Sequence, residues 1–218
     1  MTVTADSTPL LSICVPTFNR ASSLKNLFLS LKAVKDRFGA AVEICISNNG
    51  STDETAELIG LHQQALDLRV IHQSSNIGGT LNIIAVAQLV SGRWGMWVGD
   101  DDELLPDGIG VILETLKTLA PDSWLLVEAA NLDGRSQYLN GFREGLHSNA
   151  AFRQQILKTG LDPFGFIKIH LFPQAAKKTL QRLDLDDARP WPHMAAMLRW
   201  TLHPSGGVQV LKVVATGQ

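Results

Sequence analysis

The most unusual stretch of this sequence is a row of three aspartates, Asp100, Asp101 and Asp102, that ends the apolar run 95–98. Adjacent carboxylates repel one another, so a buried strand gains nothing from this ending unless fixed negative charge is needed there. Carboxylate oxygens suit Mg²⁺ or Mn²⁺, and Mg²⁺ commonly bridges one or two carboxylates to substrate phosphates. Asp100 and Asp102 are two residues apart and can share one side of a loop. The pattern predicts a divalent-cation site, with a solvated acidic turn as the structural alternative.

Three more polar segments follow apolar runs earlier in the chain: PTFNR at 16–20, NNGSTD at 48–53 and SNIGGTLN at 75–82. Short polar side chains such as Asn49 can bond a base or a ribose, and Gly78 and Gly79 let the backbone approach a ligand closely. Bare carboxylates repel a pyrophosphate, so a cation must stand between them. Together the segments predict a site for a nucleoside diphosphate. The sequence has neither the GxxxxGK[ST] pattern of P-loops nor the dinucleotide fingerprint.

The elements that must position these loops are readable from the alternation of apolar runs and helical spacing. Predicted strands at 10–16, 41–47, 68–73, 95–100 and 123–129 alternate with predicted helices at 23–38, 51–66, 78–90 and 106–119. This order is typical of βαβ units, so we expect an α/β fold whose mostly parallel, Rossmann-like sheet is flanked by helices. Ligands of such sheets bind beyond the carboxyl ends of the strands, where all four polar segments would meet.

The second half of the chain is less regular. A helix at 149–160 with Asn149 as its cap, a strand within 164–173, helices at 173–183 and 191–202 and a late strand at 207–215 are expected. We therefore divide the chain into a disordered lead-in (1–9), a regular first half (10–130) and a less regular second half (131–218) of the same single domain.

Composition excludes several classes of function. The 218 residues are 45% hydrophobic with a net charge of −2, which predicts a packed core and no nucleic-acid footprint. No apolar run is long enough to span a membrane, and the N-terminus lacks the features of a signal peptide. Cys14 and Cys45 lie inside apolar runs and are expected to be inert, reduced core thiols, as in a cytoplasmic protein.

The motifs LSICVPTFNRASSLKNLFLSL, EICISNNGSTDETAELI and SSNIGGTLNIIAVAQLVSGRWGMWVGDDDELLPDGI, in this order, resemble the GT-A glycosyltransferases of family 2 over residues 10–130. The resemblance implies the GT-A fold, transfer of a sugar from a nucleoside-diphosphate donor with inversion, and a bound Mg²⁺ or Mn²⁺. It also implies that residues 10–130 are the donor-binding half and residues 131–218 the acceptor-binding half, and it implies site residues. Pro16, Thr17 and Arg20 would line the nucleotide with Asn48, Asn49 and Gly79; Asp100 and Asp101 would contact the donor ribose and sugar; Asp102, with Asp100, would bind the metal.

One departure from the family pattern concerns the nucleotide base. The family commonly has DDGSTD where this chain has NNGSTD. A carboxylate only accepts hydrogen bonds, whereas the Asn48 amide accepts and donates, so it could read uracil, thymine or cytosine. This loop and the second half most resemble abequosyltransferase-like members of the family, which use CDP-linked dideoxysugars.

The general base is the least defined part of the prediction. An inverting transfer needs a base for the acceptor hydroxyl, and the family usually supplies a carboxylate just before a helix. Here Asp187 and His193 both lie near the start of the last predicted helix, with a solvated turn and a helix cap as the alternatives. On the acceptor side, His170 could bond a sugar hydroxyl and Trp191 could stack on a sugar, although both are also typical packing residues.

Family resemblance implies bacterial surface polysaccharide synthesis, with a glycan or lipid-linked acceptor and, in the second case, peripheral association at the inner membrane face. Two other functions stay open. A sugar nucleotidyltransferase would share the layout and the metal but usually has a Gly-rich basic loop where this chain has PTFNR. A non-catalytic nucleotide- or sugar-binding GT-A module would explain the missing Glu-Asp pair of the family.

Overall fold

The computed structural model of the protein describes residues 8–129, 139, 142–160, 167–184, 191–203 and 205–217. Nine strands of the described chain form one sheet: β1 Leu11–Thr17, β2 Val42–Asn48, β3 Leu68–His72, β4 Trp94–Trp97, β5 Glu103–Leu104, β6 Trp124–Ala129, β7 Gly145–Ser148, β8 His170–Pro173 and β9 Gly207–Gly217. The helices of the same residues are α1 Ala21–Phe38, α2 Thr55–Leu66, α3 Gly79–Gln88, α4 Pro106–Thr118, α5 Asn149–Thr159, α6 Lys177–Gln181 and α7 Pro192–Trp200.

The first half of the chain builds the parallel part of the sheet, in the order β3-β2-β1-β4. The last residue of β1, Thr17, is paired with Asn48, and Asn48 with His72, so three strands end level with one another. The loops that follow them therefore start at the same edge of the sheet. This confirms the predicted α/β fold and brings the polar segments to one crevice, as the position of the ligand site in such sheets requires.

The second half completes the same sheet rather than forming a separate one. β8 is antiparallel to both of its neighbours and lies between β4 and β6, two strands that are consecutive among the predicted runs. β6 continues to β9 in parallel, and β5 and β7 are short antiparallel additions to β9. Because β8 is inserted beside β4, a short 3₁₀ turn at Ile167–Ile169 is placed next to the loop that follows β4.

Two apolar cores cover the two faces of the sheet. On β1, Leu11, Ile13 and Val15 face the core that α1, α2 and α4 complete, whereas Cys14 faces the core formed with α3, α5, α6 and α7. Strands covered on both faces have continuous apolar sequences, which is why the runs did not alternate. Cys14 and Cys45 are buried, free thiols on neighbouring strands, as predicted, and Trp94 and Trp97 are core residues of β4.

The starts of two helices differ from the prediction. Ser148, not Asn149, caps α5: its hydroxyl accepts from the Ala151 N–H at 3.3 Å. α2 begins at Thr55, later than expected, and Asp53 accepts from the Thr55 N–H at 3.0 Å. Within the described ranges, no helix has the length and apolarity to cross a membrane.

The proposed boundaries of the chain fall partly outside these residues. Positions 1–7 and the junction between 130 and 131 are not described, so the lead-in and the division into halves stay predictions. Pro9, at the end of the expected lead-in, already accepts a hydrogen bond from the Arg93 N–H at 3.0 Å.

Candidate functional site at the carboxyl edge of the sheet

Buried asparagines hold the loops of the crevice together. Asn82, in α3, donates to the carbonyls of Ser47 at 3.2 Å and Thr17 at 3.4 Å, and its own oxygen accepts from the Ser47 hydroxyl at 2.6 Å. Asn49 accepts from the Ile77 N–H at 2.9 Å and so joins the loop after β2 to the loop after β3. These bonds fix the relative positions of three strand ends before any ligand binds.

The loop after β1 is bonded to the loop after β2 in the same way. Asn19 adopts a positive φ of 52°, accepts from the Thr52 N–H at 2.8 Å and donates its own N–H to Ser51 at 2.9 Å. The Arg20 N–H donates to the Thr55 hydroxyl at 3.0 Å. The backbone of Arg20 is therefore fixed, whereas its side chain is 54% exposed and lies next to the carboxylate of Asp100.

Pro16 and Gly79 lie where they can border a ligand. Pro16 is half-buried in β1, paired with Ser47 of β2. Gly79 is the exposed first residue of α3, and a Cβ built on it would meet no atom within 4 Å. The start of α3 has no side-chain cap, so its N–H groups can receive an anion.

Asn48, the expected reader of the base, is buried and engaged at both ends of its amide. Its oxygen accepts from the Ser51 N–H at 3.1 Å, and its nitrogen is 3.1 Å from Nδ1 of His72. If the amide donates to Nδ1, the neutral His72 ring carries its proton on Nε2. His72 is exposed, so this pair presents a ring N–H at the rim of the crevice. A direct contact of Asn48 with a base stays a prediction.

Asp100 is the carboxylate that joins the aspartate loop to β1. Its Oδ2 accepts from the Thr17 hydroxyl at 2.8 Å, and its Oδ1 is 3.8 Å from Nε of Arg20. Burial raises the pKa of Asp100 above its usual range, although the Thr17 hydroxyl and the Arg20 charge act in the opposite direction. Thr17 and Arg20 thus meet the aspartates directly, at the place where a donor phosphate and its cation are expected.

Asp102 forms a buried ion pair that the sequence did not indicate. Its Oδ1 is 2.7 Å from Nζ of Lys168, and its Oδ2 accepts from the Gly99 N–H at 2.9 Å. The two charged side chains are only 4% and 3% exposed. Burial raises the pKa of Asp102, while the Lys168 ammonium favours the ionised form. Lys168 comes from the 3₁₀ turn before β8, so the second half of the chain supplies a charge to the aspartate loop.

The aspartate loop folds back over Gly99. A Cβ at Gly99 would lie 2.7 Å from Oδ2 of Asp102 and 2.9 Å from Oδ1 of Asp101, so only glycine leaves room for both carboxylates. Asp101 is exposed. Across the described residues, no three His, Cys, Asp or Glu side chains enclose a ready metal cage. The convergence of two carboxylates over Gly99, with Asp100 beside them, does fit Mg²⁺ or Mn²⁺ completed by donor phosphates.

Three residues expected on the acceptor side, His170, His193 and Trp191, lie close to one another. His170 is fully buried, and its Nδ1 accepts from the indole N–H of Trp124 at 3.3 Å. The His170 and His193 rings are 4.9 Å apart, and His193 is also 6.2 Å from the Trp97 ring. Trp191 is 46% exposed, with its ring 6.0 Å from His193 and perpendicular to it. Asp187, the alternative base, lies outside the described residues.

Comparison with known proteins identifies the family. Residues 12–179 match the family described as Glycosyl transferase family 2. The chain belongs to this family. It is similar to abequosyltransferase RfbV of Salmonella typhimurium, with 34% identity over 113 residues, which are 51% of this chain and 34% of that protein. The chain therefore spans about a third of that relative's length.

Solved glycosyltransferase-like structures of other proteins share the fold. TarS 1–349 of S. aureus in complex with UDP has a TM-score of 0.75 at 17% identity, covering 95% of this chain and 60% of that one. Mannosyltransferase PcManGT from Pyrobaculum calidifontis, in complex with GDP-Man and Mn²⁺, has a TM-score of 0.64 at 12% identity, covering 97% and 57%. The predicted family and the GT-A fold are thus confirmed.

Three residues of this family-2 site were missed by the sequence analysis: Lys168, Asn82 and His72. A lone lysine in an apolar strand segment, and an asparagine within the aliphatic helix TLNIIAV, were the available signals, because buried polar residues need partners. His72 carried no signal of its own, since its position depends on its pairing with Asn48.

Proposed function

We propose that this chain is an inverting glycosyltransferase that moves a sugar from a nucleoside-diphosphate donor to a hydroxyl of a glycan or lipid-linked acceptor, in bacterial surface polysaccharide synthesis. The observation that carries the proposal is the joining of Asp100 to Thr17 and Arg20, and of Asp102 to Lys168, at the carboxyl edge of one continuous sheet. This arrangement gathers carboxylates, two cationic side chains and an open helix start around one place for a diphosphate.

In this proposal the nucleotide lies across the ends of β1, β2 and β3. Pro16, Thr17 and Asn49 border the nucleotide. The main-chain N–H of Arg20 is bonded to Thr55, whereas the guanidinium of Arg20 is exposed and can reach a phosphate. Asn48 acts on the base directly or through the ring N–H of His72. An N–H donor suits the carbonyls of uracil, thymine and cytosine and equally the carbonyl of guanine, so the expectation of a pyrimidine donor rests on the family resemblance. The similarity to an abequosyltransferase supports the same class.

A Mg²⁺ or Mn²⁺ ion would be held by Asp102 and Asp100, and when bound it would supply charge neutralisation of the diphosphate leaving group. The Mn²⁺ complex of PcManGT supports this part of the proposal. The protein's own contribution is to hold the carboxylates of Asp100 and Asp102 in one turn, through the Thr17 hydroxyl and the Gly99 N–H.

For the transfer itself, Asp187 is the proposed base, with His193 as the alternative; His193 is fully buried in this structure, so it would have to become accessible before it could reach an acceptor hydroxyl. The base removes the proton from the acceptor hydroxyl; the hydroxyl oxygen bonds to the anomeric carbon, and the bond from that carbon to the diphosphate breaks with inversion. His170 packs against His193 at a ring distance of 4.9 Å and would hold its orientation. Trp191, exposed next to His193, would offer a face to the acceptor sugar.

The proposal is tested by measuring the melting temperature with UDP, CDP, GDP or dTDP, each with and without Mn²⁺, and then the release of nucleoside diphosphate from the matching sugar donors. We expect one pyrimidine diphosphate to stabilise the protein more with Mn²⁺ than without. Asp100→Asn should lose this stabilisation, whereas Glu103→Gln, an exposed carboxylate next to the triplet, should keep it. No stabilisation by any nucleotide, with or without Mn²⁺, would refute the donor site.

The product distinguishes the three functions. Release of nucleoside diphosphate together with a glycosylated acceptor supports the transferase. Release of pyrophosphate from a nucleoside triphosphate and a sugar phosphate would indicate a nucleotidyltransferase, and nucleotide binding without turnover across acceptors would indicate a binding module. Location in the cytoplasm, or at the inner membrane face when the acceptor is lipid-linked, stays a prediction.

A further inference from the structure

The ion pair between Lys168 and Asp102 occupies the carboxylate that is proposed as the main metal ligand. Nζ of Lys168 is 2.7 Å from Oδ1 of Asp102, and the other oxygen accepts from the Gly99 N–H at 2.9 Å. Both oxygens of Asp102 are therefore bonded inside the protein. At this distance the ammonium of Lys168 occupies the position on the Asp102 carboxylate that a metal ion would take. Both side chains are almost fully buried.

Lys168 is held in this position by the sheet. The turn Ile167–Ile169 runs directly into β8, and Leu171 of β8 is paired with Met96 of β4. β4 leads within a few residues to the aspartate loop, so the lysine and its partner are carried by two adjacent strands. A buried lysine whose partner is taken away keeps an uncompensated charge in the protein interior, so Lys168 has a strong preference to stay paired.

We propose that Lys168 is an internal counter-ion that competes with a divalent cation for Asp102. This inference rests on the proposed metal site. While no cation is bound, Lys168 neutralises Asp102 and keeps the loop folded against Gly99. Lys168 must release Oδ1 before Asp102 can serve as a metal ligand, so the protein binds the free cation weakly. Lys168 is thus a positioning residue, and through β8 it links the aspartate loop to the segment that carries His170.

The competition predicts an effect on metal affinity in the absence of nucleotide. If the form with Asp102 available makes up about a tenth of the free protein, the apparent dissociation constant for the cation is raised about tenfold. We would titrate Mn²⁺ alone into the protein at pH 8 and follow the EPR signal of the free ion. Lys168→Met should bind Mn²⁺ about tenfold more tightly than the wild type, and Lys168→Arg, which keeps the charge, should not.

A second pair of variants separates competition at Asp102 from general repulsion between two cations. In an Asp102→Asn background, Lys168→Met should give no gain, because the disputed ligand is gone. A general repulsion would give the same gain in both backgrounds and would overturn the inference. The double variant removes both charges together, so it should retain the fold. If Lys168→Met alone loses its circular dichroism spectrum, Lys168→Gln, whose amide can still donate to Asp102, replaces it with the same expectation.

The remaining outcomes distinguish this inference from the proposed function. Equal Mn²⁺ affinity of the wild type and Lys168→Met contradicts the competition but leaves the metal site intact. No Mn²⁺ binding by either protein at millimolar concentration, together with sugar transfer in EDTA, would remove both the metal site and the competition while the transferase function remains.

Discussion

The buried carboxylate of Glu43 provides a quantitative test of how the sheet is held together away from the crevice. Glu43 is the second residue of β2, only 7% exposed, and lies opposite Ser12 of β1. It accepts from the Ser12 hydroxyl, from the Ser91 N–H and hydroxyl at 2.6 Å each, from the Gly92 N–H at 3.2 Å and from Arg69 at 3.2 Å. These bonds join β1, β2 and the segment before β4 at the edge opposite the aspartates.

The protonation of Glu43 sets the size of the effect. Burial opposes ionisation, but the hydrogen bonds from Ser12, Ser91 and Arg69 outweigh it and lower the pKa from 4.5 to about 2. A pKa lowered in the folded state stabilises the protein above the unfolded pKa, and this stabilisation is lost as the pH falls through the folded value. The difference corresponds to roughly 3 kcal/mol at pH 7, of which about 2 kcal/mol is lost by pH 3.

Glu43→Gln should therefore lower the free energy of unfolding by roughly 3 kcal/mol at pH 7, measured by urea denaturation with tryptophan fluorescence. The difference between variant and wild type should shrink as the pH is lowered from 5 to 3. Glu114→Gln is the matched control, because Glu114 is 72% exposed in a pair with Lys117 and should cost less than about 0.5 kcal/mol at any pH. A Glu43→Gln difference that stays constant from pH 7 to pH 3 would refute the assignment of the pKa and with it the reasoning from these hydrogen bonds.

Three further substitutions test the crevice itself. Asn82→Ala should lower the free energy of unfolding by about 2–3 kcal/mol, because it removes the buried amide that bonds two strand-end carbonyls and a hydroxyl. A loss below about 0.5 kcal/mol in urea denaturation would contradict the role given to Asn82. Gly99→Ala should reduce the melting temperature and Mn²⁺ binding together, since the added Cβ would lie 2.7 Å and 2.9 Å from two carboxylate oxygens; unchanged Mn²⁺ binding by EPR would show that this turn does not shape the metal site. Thr17→Val removes the hydroxyl that donates to Asp100 at 2.8 Å and that lowers the pKa of this carboxyl. Asp100 is then protonated more readily, so Mn²⁺ binding should weaken more at pH 6 than at pH 8 relative to the wild type. An equal loss at both pH values would argue against this bond.

Much of the fold was predictable because its parallel strands are covered on both faces. Continuous apolar runs such as that of β1 indicate such strands, and helical spacing of apolar residues indicates the helices between them. The position of β8 was not predictable in this way. Whether a strand lies between β4 and β6 depends on the complementarity of faces that are distant in sequence, and the apolar run of β8 is compatible with several neighbours.

The site residues also fall into those that the sequence predicted and those that it did not. The aspartate triplet and the loops after β1, β2 and β3 were recognisable, since each follows its strand directly and parallel strands end together. The partners of these residues were not. Asn48 was expected to face the ligand, but its amide is bonded to Ser51 and His72, and the pairing of β2 with β3 decides this.

By itself the sequence determined the family, the α/β architecture and the edge of the sheet where the polar loops collect, because these follow from local periodicity and from motifs within single loops. Only the tertiary structure decided which charges meet there. Lys168 is 66 residues from Asp102 in the chain, and β8 brings the two to within 2.7 Å. Such a contact is selected by the packing of the whole sheet, because a buried carboxylate must find a compensating charge wherever the fold places one.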